Sequence, residues 1–161
     1  MTSTIVPYCH TRCHSANLNY RVVMSVGSRI DIASLGTIPG NFIVKAFVPQ
    51  LQLLQRAALF ITHGGMNSVN EGLCAGVPLL VIPQAADQTF IAQRVQQLGA
   101  GKMLRDSRLN AQQLRKAAAE ILAQPAFRQV SAKIGTSLRQ GGGPALAVDE
   151  IEAFKRRHGI S

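Results

Sequence analysis

The chain has 161 residues, 47% of them hydrophobic and 16% charged, a balance that fits one globular domain with its own core and excludes an intrinsically disordered chain. No apolar run reaches the roughly 20 residues of a membrane-spanning helix, and the first 30 residues lack a signal peptide's basic start and apolar stretch, so a cytoplasmic location is expected. The net charge is +9, and 11 of the 17 Lys and Arg residues lie from Lys102 onward; with 5% aromatics and no recognition motif this reads as a solvated basic surface, not a nucleic-acid site.

Residues 1–20 show neither helical nor strand periodicity and are expected to form a poorly ordered leader. Within it, Cys9, His10, Cys13 and His14 could supply metal ligands, but zinc more usually shows a second paired-ligand knuckle. Haem attachment would need an exported protein and one residue fewer between the cysteines. No metal is therefore expected. The three cysteines, an odd number, read as free thiols.

From Arg21 onward short apolar runs alternate with helical patterns. Strands are predicted at 21–26 and 42–47, then at 59–62. A helix over 67–75, stopped by Gly76 and Pro78, leads to a fourth strand at 79–82. A helix over 88–98 ends at Gly99, and 101–104 reads as one more short strand. Leu114, Ala118, Ile121 and Leu122 share one helical face before Pro125; Phe127, Val130, Ile134 and Leu138 share another before the glycines at 141–143. The last helix opens on Pro144 and is expected to turn Val148, Ile151 and Phe154 inward. The alternation predicts an α/β fold, a Rossmann-like parallel sheet flanked by helices.

The chemistry concentrates in residues 59–71, LFITHGGMNSVNE, where a strand runs into a glycine turn and then a helix. Ligands of open parallel sheets bind beyond the carboxyl ends of the strands, and a helix N-terminus there offers free N–H groups and a positive dipole end. Gly64 and Gly65 let a ligand approach the backbone. His63 can donate to a phosphate oxygen, and Asn67 and Ser68 can add donors. A purely structural reading competes, because Ser68 and Glu71 also have the Ser-x-x-Glu spacing of a helix capping box.

The run from Phe47 to Val95, FVPQLQLLQRAALFITHGGMNSVNEGLCAGVPLLVIPQAADQTFIAQRV, resembles the donor-binding signature of UDP-dependent glycosyltransferases, closest to the bacterial macrolide-type branch. It carries Pro49-Gln50, a 13-residue step to His63, then Gly65, Asn67-Ser68, Glu71, Gly76-Val77-Pro78, Pro83 and Asp87-Gln88. The resemblance extends more loosely from about Arg21 to Arg157. It implies that the backbone around Val48 and Gln50 holds the uracil, that His63, Gly65, Asn67 and Ser68 hold the diphosphate, that Glu71 accepts from the ribose hydroxyls, and that Asp87 and Gln88 contact the sugar. Phe47 stands where many members carry Trp.

The same resemblance implies that 21–161 is the C-terminal, donor-binding half of a GT-B glycosyltransferase, incomplete at its N-terminal edge. The expected substrates are a UDP-sugar and a hydroxyl-bearing small-molecule acceptor, joined with inversion and without a cofactor. The acceptor domain and its catalytic histidine have no counterpart in the sequence, and neither His10 nor His14 matches that motif. No catalytic residue is assigned, so the isolated chain is expected to be inactive unless a separate acceptor-binding chain or self-association completes it. One alternative is a subunit of a two-chain N-acetylglucosaminyltransferase. A second is a dinucleotide-binding oxidoreductase fragment, against which the missing Gly-x-Gly-x-x-Gly counts.

Overall fold

A computed structural model describes residues 20–105 and 109–160, together with the backbone of 4–8; Cys9, His10, Cys13 and His14 lie outside the described residues. In chain order come β1 (Thr4–Tyr8), β2 (Arg21–Ser25), a 3-10 turn (Ile32–Leu35), β3 (Phe42–Lys45), α1 (Gln50–Leu54), β4 (Phe60–Thr62), α2 (Met66–Cys74), β5 (Leu79–Val81), α3 (Ala86–Gln97), β6 (Gly101–Met103), α4 (Ala111–Ala123), α5 (Pro125–Gln140) and α6 (Gly143–His158). The six strands form one sheet in the order β3-β2-β1-β4-β5-β6. Pairs β2–β3, β4–β5 and β5–β6 are parallel. β1 runs antiparallel to both β2 and β4, so β2 to β6 all point one way.

The expectation of an unstructured leader is corrected over Thr4–Tyr8. Pro7 argues against a central strand by propensity, since it brings no ladder N–H, yet it stands opposite Val22 in the β1–β2 register. The predicted strands from Arg21 onward are all present, one or two residues shorter than expected.

Side-chain alternation explains the layering. Phe60 points to one face of the sheet, Leu59 and Ile61 to the other; likewise Leu79 and Val81 oppose Leu80, and all are buried. On the first face Phe60, Leu79 and Val81 pack with Leu54 of α1, Val69 and Leu73 of α2, and Ala92 and Val95 of α3. On the second, Leu59, Ile61 and Leu80 meet Ala117 and Ile121 of α4. Helices thus cover both faces, which is why these strands read as continuous apolar runs. α4 starts on a capping box, with Asn110 and Gln113 each accepting from the other's backbone N–H at 2.9 Å.

α5 closes the first layer by coming unusually near α2. A Cβ on Gly135 would lie 2.1 Å from the backbone oxygen of Leu73, so only glycine permits this approach. One turn on, the Arg139 guanidinium donates to the Cys74 carbonyl at the end of α2, where unpaired carbonyls and the negative dipole end welcome a cation. Ser131, fully buried, donates to the Ala100 carbonyl at 3.1 Å.

α6 departs from the expectation. Val148, Ile151 and Phe154 are 56%, 59% and 50% exposed rather than turned inward. The helix is capped by Gly142 and opens on Gly143, at φ +78° and +52°. Periodicity fixes which residues share a face of a helix; it does not fix what that face meets.

Two outcomes follow from this packing. Gly135→Ala should lower the unfolding free energy, read from urea denaturation, by a net of about 1–2 kcal/mol, because overpacking against a backbone oxygen exceeds the helix-propensity gain. Gly40→Ala, where a Cβ would meet nothing within 4 Å, is the control. The second concerns Glu120, whose carboxyl is held below its ordinary 4.5 by the hydrogen bond from Lys102 and by that ammonium's charge. A depressed folded-state pKa means a contribution present above the ordinary value and lost as pH falls through the folded one. Glu120→Gln should therefore reduce stability slightly at neutral pH and flatten its decline on acidification, read from melting temperatures across pH 3–7.

Candidate functional site

Because β3, β4 and β5 point the same way, the loops that follow them emerge at one edge, the carboxyl edge where open sheets bind ligands. Val48, Gln50, His63, Gly65, Asn67, Ser68, Asp87 and Gln88 lie in these loops or in the first turn of the helices they feed, and Glu71 lies in the second turn of α2.

The loop after β3 is tied down by three bonds from the end of β2. The N–H of Val26 donates to Lys45 O at 3.0 Å, that of Gly27 to Ala46 O at 2.9 Å, and Ser25 Oγ also donates to Ala46 O, at 3.1 Å. Phe47 then projects outward, 74% exposed. Val48 packs against the core beneath the loop, and Pro49 is the N-cap of α1. Gln50, the first residue of α1, donates its side-chain N–H to Glu71 Oε2 at 2.6 Å. That bond brings together two positions 21 residues apart in sequence.

At the end of β4 the chain turns at Gly64, with φ +95°, in a space where a Cβ would lie 2.7 Å from Val81 Cγ1 and 3.4 Å from the Gln88 carbonyl oxygen. Glycine is required both by the backbone angle and by the space. Thr62 Oγ1, buried, accepts from the Gly64 N–H at 3.3 Å. A Cβ on Gly65 would lie 2.7 Å from His63 Nε2 and 3.2 Å from Cε1; the imidazole thus lies against the peptide that starts α2. His63 Nδ1 is buried and has no hydrogen-bond partner.

α2 begins at Met66 with Gly65 as its N-cap and no side-chain cap. The capping-box alternative for Ser68 and Glu71 is thereby overturned, because a box needs Ser at the N-cap and Ser68 already lies inside the first turn. Helix geometry leaves the first N–H groups without intrahelical acceptors. They are joined by the exposed Asn67 and the half-buried Ser68. The third loop leads into α3, whose start abuts the Gly64 turn through Gln88. Gln88 Oε1 accepts from the Gln84 N–H at 2.9 Å, and Asp87 is exposed in the first helical turn.

The arrangement thus offers free N–H groups with a positive dipole end for an oxyanion, an imidazole beside them, and a carboxylate oriented by an amide. Sequence reasoning missed the supports: Ser25, Thr62, Val81 and Gln84 hold the loops and turns through contacts that no local motif signals.

Residues 13–154 match the family described as erythromycin biosynthesis protein CIII-like, C-terminal domain. The chain is 43% identical over 138 residues to an uncharacterized UDP-glucosyltransferase, YojK, of Bacillus subtilis, covering 85% of this chain and 34% of that protein. It is 35% identical over 134 residues to the oleandomycin glycosyltransferase of Streptomyces antibioticus, covering 83% and 31%. Among solved structures, CalG4, the calicheamicin glycosyltransferase, superposes with a TM-score of 0.78 at 35% identity, over 84% of this chain and 34% of that one. The chain spans about a third of the length of these relatives. Motif, fold and relatives agree, and the chain belongs to the erythromycin biosynthesis protein CIII-like C-terminal domain family of GT-B glycosyltransferases.

Proposed function

We propose that the chain binds a UDP-sugar as the donor domain of a glycosyltransferase that passes the sugar, with inversion, to a hydroxyl of a small molecule. The observation that carries this reading is the His63 ring laid against Gly65, the N-cap of α2: an imidazole and a row of free N–H groups converge where a diphosphate would lie. In support, a relative is named a UDP-glucosyltransferase, and the glycosyltransferase VinC, 25% identical with a TM-score of 0.77, was solved in complex with DTDP.

In this reading the backbone near Val48 and Gln50 meets the uracil, and His63 with the turn at Gly65, Asn67 and Ser68 meets the diphosphate. Glu71 accepts from the ribose diol, and Asp87 and Gln88 hold sugar hydroxyls. The acceptor oxygen attacks the anomeric carbon while the bond from that carbon to the diphosphate oxygen breaks. The acceptor proton passes to a base supplied by an acceptor-binding domain, in the same chain or a partner. Charge grows on the leaving diphosphate, where the helix dipole and the His63 donor act without a metal or cofactor. No helix among the described residues is long and apolar enough to cross a membrane, and a cytoplasmic location suits the donor.

His63→Ala should weaken UDP binding by about 1.5–3 kcal/mol, the range for a hydrogen bond to a charged group. Isothermal calorimetry reads this directly, and unchanged affinity removes His63 from the site. For Glu71→Gln, UDP affinity should fall by about 5- to 30-fold with a melting shift of only a few degrees, since the residue does not cap α2. A parallel loss of stability and affinity, with nothing beyond the stability effect, would return Glu71 to a structural role.

A further inference from the structure

α6 stands almost free of the rest of the domain: among its described side chains none is buried, and only Ala153 and Lys155 are half-buried. Ala147, Ile151, Phe154 and His158 follow one another at steps of four, three and four residues, so they form one stripe along the helix. All four are exposed, and the rings of Phe154 and His158 lie against each other with centroids 4.3 Å apart. Glu150 and Arg157 flank the stripe on one side, Val148 and Lys155 on the other. Charge is segregated along the same helix. Asp149, Glu150 and Glu152 come first, and Lys155, Arg156, Arg157 and His158 make up the last turn. Among the described residues none of these charges forms a salt bridge.

We infer that α6 is an interface for a second copy of this chain, its stripe packed against the same stripe of the other copy with the two helices antiparallel about a two-fold axis. Antiparallel alignment sets the acidic stretch of each helix beside the basic end of the other and opposes the two dipoles. Parallel alignment would set acid beside acid and base beside base. The two-fold axis keeps each flank on its own side, so Glu150 of one copy meets Arg157 of the other, twice over, while Ile151 meets Phe154 across the seam. A membrane surface fits this helix less well, because the polar face of an interfacial helix is rich in Lys and Arg, whereas α6 carries three acidic residues against three lysines and arginines. The pairing uses no residue of the carboxyl edge, so it stands or falls apart from the donor-binding reading.

Sedimentation equilibrium on the full 161-residue chain should show monomer and dimer exchanging in the range of about 10–100 µM, as suits a seam shorter than a standard interface. Added salt should weaken the dimer, and Ile151→Ser, a change at an exposed side chain outside the core, should remove it. Glu150→Lys and Arg157→Glu each replace two attractions by two repulsions and should raise the dissociation constant by about 5- to 30-fold. In an equimolar mixture of those two variants the new lysine meets the new glutamate and the native Arg157 meets the native Glu150, so the mixed dimer should return to within about threefold of the unmutated one. A chain that stays monomeric well above the stated range overturns the inference. So does a dimer indifferent to Ile151→Ser, or a mixture no tighter than the Arg157→Glu chain alone, which is the outcome of parallel pairing. Cosedimentation of the monomer with phosphatidylglycerol vesicles, lost in Ile151→Ser, would assign the stripe to a lipid surface and overturn it as well.

Discussion

Between β4 and α2 the backbone must turn at Gly64 with a positive φ, inside a gap closed by Val81 on one side and by the start of α3 on the other. This steric constraint sets the position of everything else at the carboxyl edge. It aims the first N–H groups of α2 outward, lays His63 over Gly65, and brings α3 close enough to place Asp87 and Gln88 beside them. Any side chain at Gly64 would have to displace a fully buried valine from the central layer of the domain. Turn and core are therefore one construction.

The core that carries this turn is built from very short strands. β4, β5 and β6 have three residues each, and the stability of β4 and β5 comes from burial on both faces more than from ladder length. The close approach of α5 at Gly135 and the Arg139 bond to the end of α2 hold that helix from the side opposite the ligand edge. α2 is thus gripped at its C-terminal end and free at its N-terminal end. Such a helix can present a dipole to a ligand without shifting when the ligand arrives.

The sequence made the parallel strands legible because two-sided burial leaves runs such as 59–61 and Leu79–Val81 without polar interruption. The gathering of the candidate residues at one edge was legible because they cluster in one contiguous signature, and three loops meet there once the strands are parallel. What escaped has separate causes. α1 has five residues, too few for a helical period to show in a Gln- and Leu-rich run. β1 contains Pro7, and its place in the sheet depends on partners far along the chain. The helix start at Met66 is set by the turn geometry, which overrode the Ser68 and Glu71 spacing. The exposed face of α6 depends on how the helix leaves the turn at Gly142 and Gly143, and a helical stripe carries no information about that.

The imidazole of His63 rests on a peptide where no Cβ intervenes, with its Nδ1 enclosed. A ring held this way has little torsional freedom left to surrender. In the proposed donor site an arriving anion would meet a donor whose orientation has already been settled by folding, and the entropy of fixing it would have been spent when the domain formed rather than at the moment of encounter. Replacing Gly65 by any larger residue would tilt the ring off its support and restore that freedom, so the smallest side chain in the segment governs how rigid its largest polar group can be.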